Sequence, residues 1–180
     1  GSLLLTLEEV DISRLREEGW PFPQAVNVKA RDGKTDLHGY IYKPSNFDST
    51  NTYPVIDYIY PGPQIGSVGM RYFTVSPRGN AQALAELGFI VVQIDAFGSP
   101  FRSKHFHDYW YGDMGDNGIA DHVNAIKQLS AIIPQMDLER VGIFGHSGGG
   151  FSSTGAILRY PDFFKVAVSS AGNHDNRSYN

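Results

Sequence analysis

Ser147 stands in Gly145-His146-Ser147-Gly148-Gly149, with a third consecutive glycine at 150. A serine in G-x-S-x-G spacing suits nucleophilic acyl transfer when a strand leads into it and a helix leads out. The requirement is steric. On a tight strand-to-helix turn the serine backbone is strained and Oγ projects above the sheet, so side chains two residues away on either side would collide. It is also electrostatic, because the new helix points its first N–H groups at the serine. The Gly148 N–H can then donate to a developing oxyanion. The plainer alternative is a glycine-rich turn with Ser147 as a helix cap. The strand–helix order around it favours the nucleophile. His146, the next residue on a sharp turn, is expected to point away from Oγ and is not read as the base.

A nucleophilic serine needs a histidine, and in this type of site the order along the chain is Ser, then Asp or Glu, then His. After Ser147 the acids are Asp162 and Asp175, and the one histidine is His174. Asp162 follows a helix-ending Tyr-Pro, and no histidine comes after Asp175. His174 and Asp175 are sequence neighbours, which rarely allows a carboxylate on Nδ1 while Nε2 reaches a serine. The 180 residues are therefore expected to lack the general base. Without it the hydroxyl stays protonated at neutral pH, so these residues alone are expected to be inactive.

Other polar clusters carry less. His105-Phe106-His107 could put two imidazoles on one face, but no third ligand is placed by the sequence. No metal and no cofactor are expected. Asp121 and His122 are expected to face solvent from an amphipathic helix. The stretch 173–179, beyond the carboxyl end of a strand, is expected to wall a substrate pocket.

The elements that would hold Ser147 follow from periodicity. Residues 25–31 and 37–43 read as an antiparallel hairpin around Asp-Gly-Lys-Thr-Asp. Residues 53–63 form a more continuous apolar run ended by Pro-Gly-Pro, as in a strand buried on both faces. Then helix (78–88), strand (89–95), helix (117–133), strand (140–145), helix and strand (164–172) alternate. In 117–133, Ile119, Val123, Ile126, Leu129 and Ile133 share one stripe. Such alternation implies parallel crossovers and an α/β fold with helices on both faces of the sheet. The aromatic stretch 96–115 fits no period, and a loop of that length is usually functional. Residues 1–24, closed by Trp20-Pro21-Phe22-Pro23, read as a linker or tail, which leaves 25–180 as the folded unit.

Composition narrows the partners. A net charge of −4 and a pI near 5.8 argue against nucleic acid. The 41% hydrophobic content supports a core. Cysteine is absent, which removes disulfides and a thiol nucleophile but leaves the compartment open. The opening Gly-Ser-Leu-Leu-Leu is too short to span a membrane.

Three stretches together resemble the catalytic domain of the prolyl oligopeptidase/dipeptidyl peptidase IV group of serine peptidases. They are residues 29–64, ending in Tyr-Pro-Gly-Pro-Gln; residues 83–100, with Asp-Ala-Phe-Gly-Ser; and the helix and elbow from Asp121 to Thr154. The elbow departs from the dipeptidyl peptidase pattern, with His-Ser-Gly in place of Trp-Ser-Tyr. The resemblance implies an α/β-hydrolase-type, mostly parallel sheet opened by a hairpin, of which 25–180 is the front portion. It implies that the sheet, the Asp and the His continue elsewhere, and that a β-propeller domain precedes residue 25. It implies cleavage of peptide substrates, and it gives Tyr60 a hydroxyl in the oxyanion hole beside the Gly148 N–H. A rigid Pro-Gly-Pro turn after a buried strand suits such preorganised donation. Two other readings stay open: an esterase for acylated carbohydrates on the same fold, and a non-catalytic module using the aromatic loop as an interface. An open sheet edge also invites oligomers.

Overall fold

A computed structural model describes residues 3–68 and 81–178. The core is one six-stranded mixed sheet in the order β1-β2-β4-β3-β5-β6. Strands β1 (Gln24–Lys29) and β2 (Asp36–Tyr42) form the expected antiparallel hairpin, with Val26 opposite Gly39. β2 then runs antiparallel to β4 (Ile90–Asp95). From β4 onward the sheet is parallel, through β3 (Tyr53–Tyr58) and β5 (Met136–His146) to β6 (Phe164–Ser170). This is the α/β-hydrolase-type architecture, and it aligns the carboxyl ends of β3, β4, β5 and β6 along one edge.

Helices cover both faces. On one face, α2 (Ala81–Ala85) sets Ala81 and Ala85 against Val91. The part of this helix expected before residue 81 lies outside the described residues. On the other face lie α4 (Ile119–Ile132) and α5 (Gly148–Arg159), with Ile119, Ile126 and Leu129 of α4 almost wholly buried. Each such side chain contributes about 1.5–3 kcal/mol of burial. Alternation along β4 divides its residues between these layers, with Val91 on the α2 side and Ile90, Val92 and Ile94 in the larger core.

Three expectations change. Residues 1–24, expected as a linker or tail, hold one short helix, α1 (Ser13–Glu17), which buries nothing. The aromatic stretch is folded rather than a plain loop: α3 (Lys104–His107) runs into a 3-10 turn at Asp108–Trp110. Ring stacking holds it, with Phe97 4.9 Å from Phe106 and 4.2 Å from Tyr109 between centroids. Periodicity missed it because aromatic contacts, not a repeating stripe, build it.

The third change concerns α4. Asp121 and His122 do not face solvent; they are 0% and 1% exposed. His122 Nδ1 lies 2.9 Å from Oδ1 of Asp57, itself wholly buried in β3. Asp121 accepts from the backbone N–H of Arg31 at 2.9 Å and from its Nε at 3.0 Å, and Arg31 also reaches Asp116 at 2.7 Å. Each buried charge is thus paired, which is what makes its burial tolerable.

At the far edge, β6 pairs only with β5 among the described residues. Its Val166 and Val168 are 60% and 56% exposed.

Candidate active site

β5 ends at His146 and α5 starts at Gly148, so Ser147 is the whole connection between them. Its φ of 57° and ψ of −119° lie in a region that L-residues seldom occupy. The glycines explain why the chain accepts this. A Cβ on Gly145 would come within 2.4 Å of the Gly149 backbone, and one on Gly149 within 2.2 Å of the Ile59 carbonyl oxygen. Only bare backbone lets β5, α5 and the end of β3 approach so closely. The Ser147 N–H donates to the carbonyl of Ser170 at 2.8 Å, which locks the elbow to the end of β6.

The Ser147 side chain is exposed at the carboxyl edge of the sheet. Gly148, as the first residue of α5, has no carbonyl one turn earlier in its helix to receive its N–H. A Cβ there would find nothing nearer than 3.8 Å, the Pro61 ring and the Gly62 oxygen. The side-chain position of Gly148 is therefore uncrowded, and an N–H without a helical partner suits donation to an anionic oxygen.

Tyr60 follows β3 directly beside the elbow, since a Cβ on Gly149 would lie 3.7 Å from the Tyr60 Cα. Its backbone is tied down from the far side. The Tyr60 N–H donates to Ser67 Oγ at 2.9 Å, and the N–H of Ser67 donates to Asp95 Oδ1, at the end of β4, at 2.6 Å. The turn continues through a cis Gly62–Pro63 bond. Sequence elements 87 residues apart are thus brought to one place, with Tyr60, Ser147 and Gly148 around it.

Other candidates fall elsewhere. His146 Nδ1 lies 2.9 Å from Ser170 Oγ, a contact that holds the ring over β6. His174 Nε2 is 3.4 Å from Ser169 Oγ, Asp175 pairs with Arg177, and Asp162 is exposed. Among the described residues no side chain hydrogen-bonds to the Ser147 hydroxyl. His105 and His107 do not converge on a common point with further ligands; among the described residues no group of three or more His, Asp or Glu side chains is placed to hold a metal. His107 Nε2 instead meets the Pro63 carbonyl at 2.9 Å.

Two features escaped the sequence reading. One is that His107 contact, which joins the aromatic segment to the Tyr60 turn. The other is the Asp57–His122 pair, which joins β3 to α4. Burial pushes the His122 imidazole down, but the Asp57 carboxylate outweighs it, helped by Asp121 and Asp95, and holds it above its ordinary 6.5. A signal existed: His122 precedes Ile126 by four and Leu129 by seven, on the buried stripe.

Comparison with known proteins bears on the family and the fold. Dipeptidyl peptidase 8 of mouse and of human is 35% identical over 154 residues, covering 83% of this chain and 16% of that protein. The uncharacterized peptidase YuxL of Bacillus subtilis is 30% identical over 155 residues, covering 86% of this chain and 22% of that one. A crystal structure described as a "putative dipeptidyl aminopeptidase IV" from Bacteroides ovatus superposes with a TM-score of 0.73 at 37% identity, over 80% of this chain and 20% of that one. The chain thus spans about a fifth of the length of these relatives. The family model for the prolyl oligopeptidase family matches residues 74–180, more than half of the chain and including the whole elbow, and the chain belongs to that family.

Proposed function

We propose that this chain is part of a serine peptidase of prolyl oligopeptidase/dipeptidyl peptidase type, with Ser147 as its nucleophile. The observation that carries the reading is the Ser147 backbone at φ 57° and ψ −119°, wedged between glycines that touch backbone. A turn that needs only a helix cap does not require such strain.

In the proposed reaction, a general base takes the Ser147 hydroxyl proton as Oγ bonds to the scissile carbonyl carbon. The carbonyl oxygen becomes an oxyanion, held by the Gly148 N–H and the Tyr60 hydroxyl. The C–N bond breaks and the amine leaves with the proton. Water, deprotonated by the same base, then releases the acid and restores the serine. We place the base and its orienting carboxylate outside these 180 residues, because His146 and His174 are engaged with Ser170 and Ser169. The uncovered Val166 and Val168 support further structure packing on β6. By the same resemblance residues 1–24 lead in from a β-propeller; the stretch after β6 walls the substrate pocket, and we place the acyl side there.

A fluorophosphonate probe on the full-length protein tests the nucleophile: labelling is expected at Ser147 and is lost in Ser147→Ala. Full-length protein should hydrolyse a prolyl dipeptide amide in preference to an aryl ester, whereas the 180 residues alone should turn over neither. The reverse preference supports an esterase; no labelling of Ser147 overturns catalysis altogether and favours a binding module.

A further inference from the structure

A cavity of about 390 Å³ opens at the carboxyl edge of the sheet, beside the elbow. Two loops form it: Pro61 and Pro63 after β3, and Gly98, Trp110, Tyr111 and Met114 after β4. Its size falls within the about 300–1,000 Å³ of sites that enclose small ligands.

The chemistry of its walls is selective. Their main polar groups are already engaged within the protein. Trp110 Nε1 donates to the Phe97 carbonyl at 2.6 Å, and His107 meets the Pro63 carbonyl. The Asn117 amide donates to Ser152 Oγ at 3.3 Å, and Asp108 pairs with Lys104. Proline rings, an indole, a phenol ring and a thioether are left to meet a ligand. Such a surface favours apolar and aromatic groups.

The cavity also adjoins the candidate active site through Pro61. Pro61 is both one of its walls and the nearest side chain to the space over Gly148. Beneath it, a Cβ on Gly62 would come within 2.6 Å of the Gly98 carbonyl oxygen, so the two loops are in backbone contact. The strand order puts the cavity on the β3–β4 side of Ser147, with residues 173–178 on the β6 side.

Resting on the peptidase reading above, we propose that this cavity binds an apolar or aromatic side chain on the leaving-group side of the scissile bond. With the acyl portion placed on the β6 side, a peptide crossing Ser147 runs next between Pro61 and Trp110.

The test uses the full-length protein and peptides with one fixed prolyl dipeptide followed by Phe, Leu, Asp or Gly, cleavage being followed by chromatography. Phe and Leu are expected to exceed Gly and Asp in kcat/KM by about tenfold or more, as for burial of a large apolar group. Met114→Trp, which fills the cavity, and Tyr111→Ala, which removes a wall, should each cut the Phe-to-Gly ratio at least about fivefold. Tyr111 is 93% exposed, so its replacement leaves packing intact even if the tryptophan does not fold. Equal kcat/KM for Phe and Gly overturns the proposal. So does a ratio unmoved in Tyr111→Ala, or side-chain selectivity confined to the residues before the scissile bond. Failure of the peptidase reading looks different: no peptide is cleaved in a Ser147-dependent way, and the fluorophosphonate label is absent.

Discussion

Truncation of His122 to alanine should be among the costliest single changes in this protein. The side chains of His122 and Asp57 are 1% and 0% exposed, so water cannot replace a lost partner. Among the described residues Asp57 Oδ2 has no hydrogen-bond partner, which leaves the Oδ1–Nδ1 contact of 2.9 Å as the anchor of a buried carboxylate. Breaking such a pair from one side costs about 3–5 kcal/mol, against a total stability of about 5–15 kcal/mol for a domain. Replacing both partners by apolar residues, as in Asp57→Val with His122→Leu, should be neutral or stabilising. The double variant should therefore be more stable than either single one. pH gives a second handle. The folded pKa of His122 is raised above 6.5, so the pair's stabilisation is complete below about 6.5 and is lost as pH rises through the folded value. Urea unfolding at pH 5.5 and 8.5, followed by circular dichroism, measures both effects. The gap between wild type and His122→Ala should be wider at pH 5.5. A gap under about 1 kcal/mol, or one equal at the two pH values, would refute the reasoning.

Three further outcomes follow from distances already given. Gly149→Ala should lower stability by at least about 1–3 kcal/mol, because its Cβ would sit 2.2 Å from the Ile59 oxygen, whereas Gly148→Ala should stay within about 0.5 kcal/mol; melting curves separate them. Tyr60→Phe should lower kcat of the full-length protein about 10²–10³-fold with little change in KM, as for loss of one oxyanion donor; steady-state kinetics on a prolyl amide reads this. Arg31→Met should destabilise by about 1–3 kcal/mol, because Asp121, 0% exposed, keeps the backbone N–H of residue 31 but loses the guanidinium. Adding Asp121→Asn should recover part of that loss in urea titrations.

The elbow was legible because its constraint is local: glycines at fixed offsets from Ser147 say where backbone must touch backbone. The strand and helix order was legible for the same reason, since each element carries its own period. What the sequence hid depends on partners far along the chain. Asp57 and His122 are 65 residues apart, and the polarity of His122 argued for the surface. Yet Asp57 takes its turn in the inward alternation of Tyr53, Val55 and Ile59. A polar residue on an otherwise apolar stripe, matched by another on a facing element, is the sign of a buried pair. The aromatic segment was opaque because its order comes from Phe97, Phe106 and Tyr109 stacking on one another.

The Ser147 backbone has one more consequence. A non-glycine residue at such angles costs on the order of 1–3 kcal/mol. Glycine alone would rest there at ease. On the proposed reading, reactivity and durability therefore pull in opposite directions at one residue, and a Ser147→Gly protein should outlast the wild type on heating. The protein holds its serine in place like a set spring, and the glycines around it are what keep the spring from releasing.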